Sequence, residues 1–192
     1  MKLAERLPDS ITINGKKYKA DFDFRNVLKM MEVLQRDDLL PSARDYKALK
    51  CIMRKPPRNI TFALAAVKAI CFPDIDRIEK NSTKAISFEQ DADLIRAAFL
   101  QSYGIDLWTQ KLHWIEFSAL LSSLPEGSRL SEIISIRLRP MPKATKYNAE
   151  ERKWLAEAKA KNAIRMTDKE MADNYNRGVS DVFHALLGMQ RK

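Results

Sequence analysis

Apolar residues recur at helical spacing along most of this chain and alternate clearly in only one place. Ile11-Thr12-Ile13, Asn14-Gly15 and Lys16-Lys17-Tyr18-Lys19-Ala20 read as two short strands around a turn. Asn-Gly favours a type I′ turn, because both central residues need positive φ. Two strands alone are marginal in water, so the hairpin is expected to lie on its own helices. Asp21 or Asp23 can cap the next element, where Phe24, Val27, Leu28, Met31 and Leu34 follow helical spacing. Met30 and Val33 widen this stripe, through core packing or through a partner surface. Asp37-Asp38 and Pro41 break the pattern. Residues 43–53 predict a helix with Tyr46, Leu49, Ile52 and Met53 apolar, stopped by Pro56-Pro57. Asn59 can cap a segment over 60–72 that only Thr61 and Lys68 interrupt. A helix apolar nearly all round is expected to be the buried centre of the core.

Residues 87–125 carry the strongest pattern. Ser87 and Gln90 form a capping box, and Glu89, Asp91 and Asp93 suit the positive end of a helix. Leu94, Ile95, Ala98 and Phe99 make the apolar face, and Gly104 fits a left-handed C-terminal cap. Asp106 can cap a second helix with the stripe Phe117, Leu120, Leu121 and Leu124, which Pro125 ends. The pair predicts an αα-hairpin, with Trp108, Trp114 and Phe117 available for its seam. A short helix from Ser128 or Arg129 through Ile136 should turn Leu130, Ile133, Ile134 and Leu138 inward. Arg137, Arg139, Pro140 and Pro142 close the compact part.

Beyond it, Asn148 with Glu151 and Thr167 with Glu170 are capping boxes that start two more helices. The first, over 149–164, has a thin apolar face of Trp154, Leu155, Ala158 and Ile164. The second, over 168–187, has the stripe Met171, Tyr175, Val179, Val182, Phe183 and Leu186, with Gly178 weakening it by about 1 kcal/mol relative to Ala. This terminal helix can dock on its own domain or on a partner. The expected fold is mainly α: a compact helical domain over 1–142 with a small N-terminal β-hairpin, then a charged helical tail over 143–192.

Composition adds limits. With 192 residues, 45% of them apolar, the chain can bury a sizeable core. The net charge is +9. Residues 143–192 hold 11 Lys/Arg and 7 Asp/Glu, and the remaining +5 is spread over 142 residues. Interleaved charge of this kind reads as a solvated helical surface rather than a nucleic-acid groove. Arg137, Arg139, Lys143, Lys146 and Tyr147 come closest to a phosphate-binding arm. The start of the chain is too charged for a secretory signal, and no apolar run approaches the length of a membrane span, so a soluble, cytoplasmic protein is expected. Cys51 and Cys71 lack a nearby metal-spaced partner. His113 reads as a structural histidine, with Glu116 at hydrogen-bonding distance along the helix. Five glycines, no phosphate-binding loop and no nucleophile elbow argue for a non-enzyme without cofactor or metal.

The runs S-F-E-Q-D-A-D at 87–93, A-A-F-L-Q-S-Y-G-I-D-L at 97–107 and L-H-W at 112–114 resemble a family of small tailed-bacteriophage proteins. These are encoded just ahead of the tape-measure gene in phages of Gram-positive bacteria and are known as tail assembly chaperones. The similarity extends more weakly from the 11–20 hairpin to about residue 164 and includes the charged segment near 143–160. Ile136 stands where family members often carry an aromatic residue before the arginine, and 166–192 has no counterpart. The resemblance implies a factor that binds the phage tape-measure protein, keeps it soluble and helps recruit the major tail protein. It would act in the cytoplasm of the bacterial host, alone, as a homo-oligomer or with a second tail assembly chaperone subunit. Candidate partner-binding residues are Met30, Met31 and Val33, then Trp108 and Trp114, then Met171, Tyr175, Val179 and Phe183. Two other readings stand beside it: a basic nucleic-acid-binding regulator, and a minor structural tail protein retained in the virion.

Overall fold

The hairpin forms where Asn-Gly places it. In the computed structural model, which describes residues 5–73 and 85–165, β1 (Ser10–Ile13) pairs antiparallel with β2 (Lys16–Lys19). Asn14 and Gly15 both have positive φ, at 49° and 74°. Ile11 and Ile13 are buried, so the hairpin presents its apolar side to the helices. Seven helices follow among the described residues: α1 (Phe24–Leu34), α2 (Pro41–Ile52), α3 (Ile60–Cys71), α4 (Ala92–Tyr103), α5 (Trp114–Ser122), α6 (Arg129–Leu138) and α7 (Ala149–Lys161). The expected mainly α fold with one small hairpin is thus the observed one. The chain divides into two units, Met1–Leu138 and Arg139–Lys192.

Local chemistry sets most of the helix starts. The Asp23 carboxylate accepts from the Arg25 N–H at 3.0 Å and caps α1, and Asn59 Oδ1 accepts from the Phe62 N–H and caps α3. Pro41, expected as a breaker, sits at the first turn of α2, where its fixed φ suits a helix and its missing N–H costs nothing. Gly104 ends α4 in the left-handed conformation, with φ 66°.

The core of the first unit is organised around Phe117. Its ring stacks on Phe24 at 4.7 Å and on Phe99 at 5.2 Å, and meets Trp114 and Phe88 at 5.6 and 6.1 Å. One ring therefore joins α1, α4 and α5 with the segment before α4. Trp114 buries its indole, and its Nε1–H donates to the carbonyl of Cys71 at 2.8 Å, tying α5 to the end of α3. Burial pushes the Cys71 thiol up to about 12, so it stays protonated and packs as a small apolar group.

Several expectations change. Met30, placed on the flank of α1, is fully buried at 0% exposure, while Met31 is only half-buried. The helix is rotated so that Phe24, Val27 and Met30 face in. α3 is not buried all round: Ala63, Leu64, Val67 and Cys71 are inside, but Phe62 is 68% exposed and Ala65 and Ala69 are exposed. The hairpin and α2 cover only one side of it. Asp106 caps a turn and not a helix, since α5 begins only at Trp114. Leu138 is exposed at the end of α6. Before α4, Ser87 Oγ accepts from the Gln90 N–H as expected, but the reach back to the Ser87 N–H comes from Asp91 at 2.9 Å. Asn148 stands at the N-cap position of α7 but its side chain makes no capping bond; its Oδ1 accepts from the Thr145 N–H, and Glu151 pairs with Arg139 at 2.9 Å. The predicted Thr167–Glu170 box and its helix lie outside the described residues.

Candidate partner-binding site

Residues 22–24 and 112–114 lie side by side as an antiparallel bridge, which sets the starts of α1 and α5 next to each other. The Phe24 N–H donates to Leu112 O at 3.0 Å and the Trp114 N–H to Phe22 O at 2.7 Å. His113 completes the junction. Its Nδ1 accepts from the Ile115 N–H at 3.1 Å, so the ring proton resides on Nε2, which donates to Pro8 O at 3.1 Å. Glu116 accepts from the His113 N–H. His113 is therefore a helix cap with both ring nitrogens committed to backbone. A hollow of about 220 Å³ opens beside it, lined in part by Leu7, Asp21, Lys111 and Leu112. No group of three metal-binding side chains occurs among the described residues.

This junction fixes the loop between α4 and α5. Arg25 forms an ion pair with Asp23 at 3.0 Å and stacks over the Phe24 ring at 4.7 Å. Its Nη2 then donates to two loop carbonyls, Leu107 O and Gln110 O, each at 2.7 Å. From the other side, Arg96 of α4 binds Asp106 through bonds of 3.0 and 3.2 Å. Asp106 also accepts from the Trp108 N–H at 3.0 Å. These bonds, first the one from Arg96 and then the one from Trp108, hold the Asp106 carboxyl below the usual carboxylate range. The loop over 106–110 is thus held by one arginine at each side.

Trp108 rides on this loop. Its ring lies over the Arg96 guanidinium at 3.7 Å, yet the residue is 73% exposed. Leu100, one turn beyond Arg96 on α4, is exposed as well. The surface thus carries two large exposed apolar side chains, an indole stacked on Arg96 and a leucine one helical turn along α4 from that arginine. Trp and Arg are the residue types that most often dominate protein interfaces.

The remaining candidates separate sharply. Trp114 is 5% exposed and Met30 is fully buried, so both serve the core and are removed from any surface. Met31 and Val33 are half-buried and pack against the core. Met171, Tyr175, Val179 and Phe183 lie outside the described residues. Of the basic arm, Arg137 is bound to Asp91 and Arg139 to Glu151, while Lys143, Lys146 and Tyr147 are exposed. Sequence reasoning missed Arg25 and Arg96. Periodicity has nothing to say about them, because they act on backbone and rings far along the chain.

A family model described as Bacteriophage Gp15 protein matches residues 3–164. The chain belongs to the bacteriophage Gp15 protein family. No curated protein and no solved structure matches it. The family match runs from the hairpin through α7, so Arg25, Arg96, Asp106 and Trp108 all fall inside the Gp15 region, whereas Met171, Tyr175, Val179 and Phe183 fall outside it. No helix among the described residues is long and apolar enough to cross a membrane.

Proposed function

We propose that this Gp15-family protein is a tail assembly chaperone that binds the phage tape-measure protein through Trp108. The observation that carries the reading is a tryptophan held in one conformation by Arg96 and Asp106 while most of its surface stays in water. Folding gains little from an indole placed this way. A partner gains a large apolar contact without having to order it, because the loop is already fixed. A long helical tape-measure chain offers apolar helical faces, and a groove or platform with an aromatic anchor is a recurring mode for capturing such faces. In this reading the protein performs no catalysis. It works in the bacterial host cytoplasm, shields the tape measure before the major tail protein surrounds it, and acts alone, as a homo-oligomer or with a second chaperone subunit. The sequence motifs at 87–93, 97–107 and 112–114 support the same assignment through their resemblance to chaperones of this gene neighbourhood.

Co-expression with the tape-measure protein tests it. The tagged chain should retain the tape measure in the soluble fraction and co-purify with it. Trp108→Ala should reduce co-purification while leaving the melting transition in place. Purified virions should lack the chain; its presence there in structural amounts would favour a retained tail subunit instead. A companion variant replacing Tyr175, Val179 and Phe183 with Asp assigns the terminal stripe: if it alone loses the tape measure, Trp108 is not the anchor.

A further inference from the structure

The segment over 46–73 holds six Lys/Arg and not one Asp or Glu. Counted over the whole N-terminal part, the positive charge looks dispersed; counted by element, it gathers here. Lys47, Lys50, Arg54, Lys55, Arg58 and Lys68 are all exposed, and among the described residues none of them has an ion-pair partner. Lys50 donates to Arg54 O at 2.9 Å, which brings its ammonium to the loop carrying Arg54, Lys55 and Arg58. That loop leads straight into the N-terminal end of α3, whose first turn contains no acidic residue. The helix dipole adds to the same sign of potential.

From this basic end runs the outward side of α3. Phe62, Ala65 and Ala69 are exposed at i, i+3 and i+7, with Lys68 on their flank. The stripe is about 10 Å long. One aromatic residue followed by two alanines makes a knob and then a flat track, on which a second helix can approach closely.

We propose that this face of α3 docks an acidic amphipathic helix of a partner protein. Charge decides the occupant. Residues 74–84 contain three Lys/Arg and three Asp/Glu, and residues 166–192 contain four of each, so neither supplies a net negative complement. A second copy docked face to face would set this same basic end against itself. An acidic helix with an apolar stripe matches both features: its carboxylates meet the basic rim, and its apolar residues cover Phe62. Opposite charge speeds encounter and selects the partner, and the apolar contact slows release. This face lies on a different element from Trp108, and the acidic-helix class holds whether or not Trp108 binds the tape measure.

The test is fluorescence anisotropy with the full chain. The probe is a dye-labelled synthetic peptide of about 18 residues, long enough to form a helix on binding, with Leu at helical spacing and Glu elsewhere. A Lys-for-Glu counterpart and a single-stranded oligonucleotide serve as comparisons. The Glu peptide should bind saturably, with affinity falling as salt rises. Phe62→Ser and the double variant Lys55→Glu/Arg58→Glu should each weaken it by about tenfold or more. The Lys peptide should not bind, and Trp108→Ala should leave the affinity unchanged. Since the substituted side chains are exposed, a thermal melt should show all variants folded; Lys55→Gln/Arg58→Gln replaces the double variant if charge reversal disturbs the melt. The proposal is overturned if the Glu peptide fails to bind, if neither the Phe62 nor the Lys55/Arg58 variant matters, or if Trp108→Ala weakens binding as much as Phe62→Ser. Tighter binding of the oligonucleotide, lost in the same variants, would overturn it in favour of a phosphate-binding surface.

Discussion

Arg137, near the end of α6, grips Asp91, just ahead of α4, through bonds of 2.7 and 2.8 Å to its two carboxylate oxygens. Only 9% and 4% of the two side chains remain exposed. The same guanidinium donates to Ala85 O at 3.1 Å, and Asp91 also accepts from the Ser87 N–H. Both ions are therefore hydrogen-bonded where little water reaches them, and residues 46 apart are fastened together.

Removing one partner should leave an uncompensated buried charge. Arg137→Met is expected to cost about 3–5 kcal/mol in a denaturant titration, because the pair's burial is repaid only while both partners are present. The double variant Asp91→Leu/Arg137→Met should recover much of that loss. A double variant as unstable as the sum of the singles would show that the two residues do not act as a pair.

Acid should act through the same carboxylate. The Arg137 hydrogen bond lowers the Asp91 value against the opposing effect of burial, and the Ser87 N–H lowers it further. The folded chain thus releases this proton more readily than the unfolded one. Its stabilisation is complete above the unfolded value of about 3.9 and is lost as pH falls from there through the lower folded value. Stability measured from about pH 5 down to pH 2 should fall less in Asp91→Asn than in the parent chain. An equal fall in both would assign the acid sensitivity to other groups, such as Asp106, which is shifted the same way.

Phe117 should be the costliest ring to truncate. It touches Phe24, Phe88, Phe99 and Trp114, so no single neighbour can fill its place. Phe117→Ala is expected to destabilise by about 3–5 kcal/mol in chemical denaturation. Trp108→Ala, by contrast, should move the midpoint by less than about 0.5 kcal/mol, since its ring is mostly in water already.

Gly104 offers a backbone test free of packing. A Cβ added there meets nothing within 4 Å, and φ is +66°. Gly104→Ala should cost about 1–2 kcal/mol from the left-handed conformation alone. No measurable loss would mean that α4 can end in another way.

Much of this protein was legible from the chain alone because it rests on local rules. Asn14-Gly15 fixed the hairpin through positive φ, Asp23 and Asn59 capped the helices they precede, and Gly104 closed α4. Periodicity also found Leu130 and Ile133, the buried residues of α6, although it counted the exposed Leu138 with them. Such features depend on residues within a few positions of each other.

Tertiary structure alone decided which apolar residues face water. Met30 and Met31 are adjacent and chemically identical, and only the neighbours of α1 turn the first inside. Trp108 and Trp114 looked equivalent, yet the bridge at 22–24 and 112–114 starts α5 at Trp114 and leaves Trp108 on a turn outside the core. α3 read as buried all round because spacing cannot say how many elements cover a helix. The clamps of Arg25, Arg96 and Arg137 join positions 10 to 85 residues apart. A charged side chain in the sequence carries no mark of the carbonyl, ring or carboxylate it will meet, because that partner is brought to it only by folding.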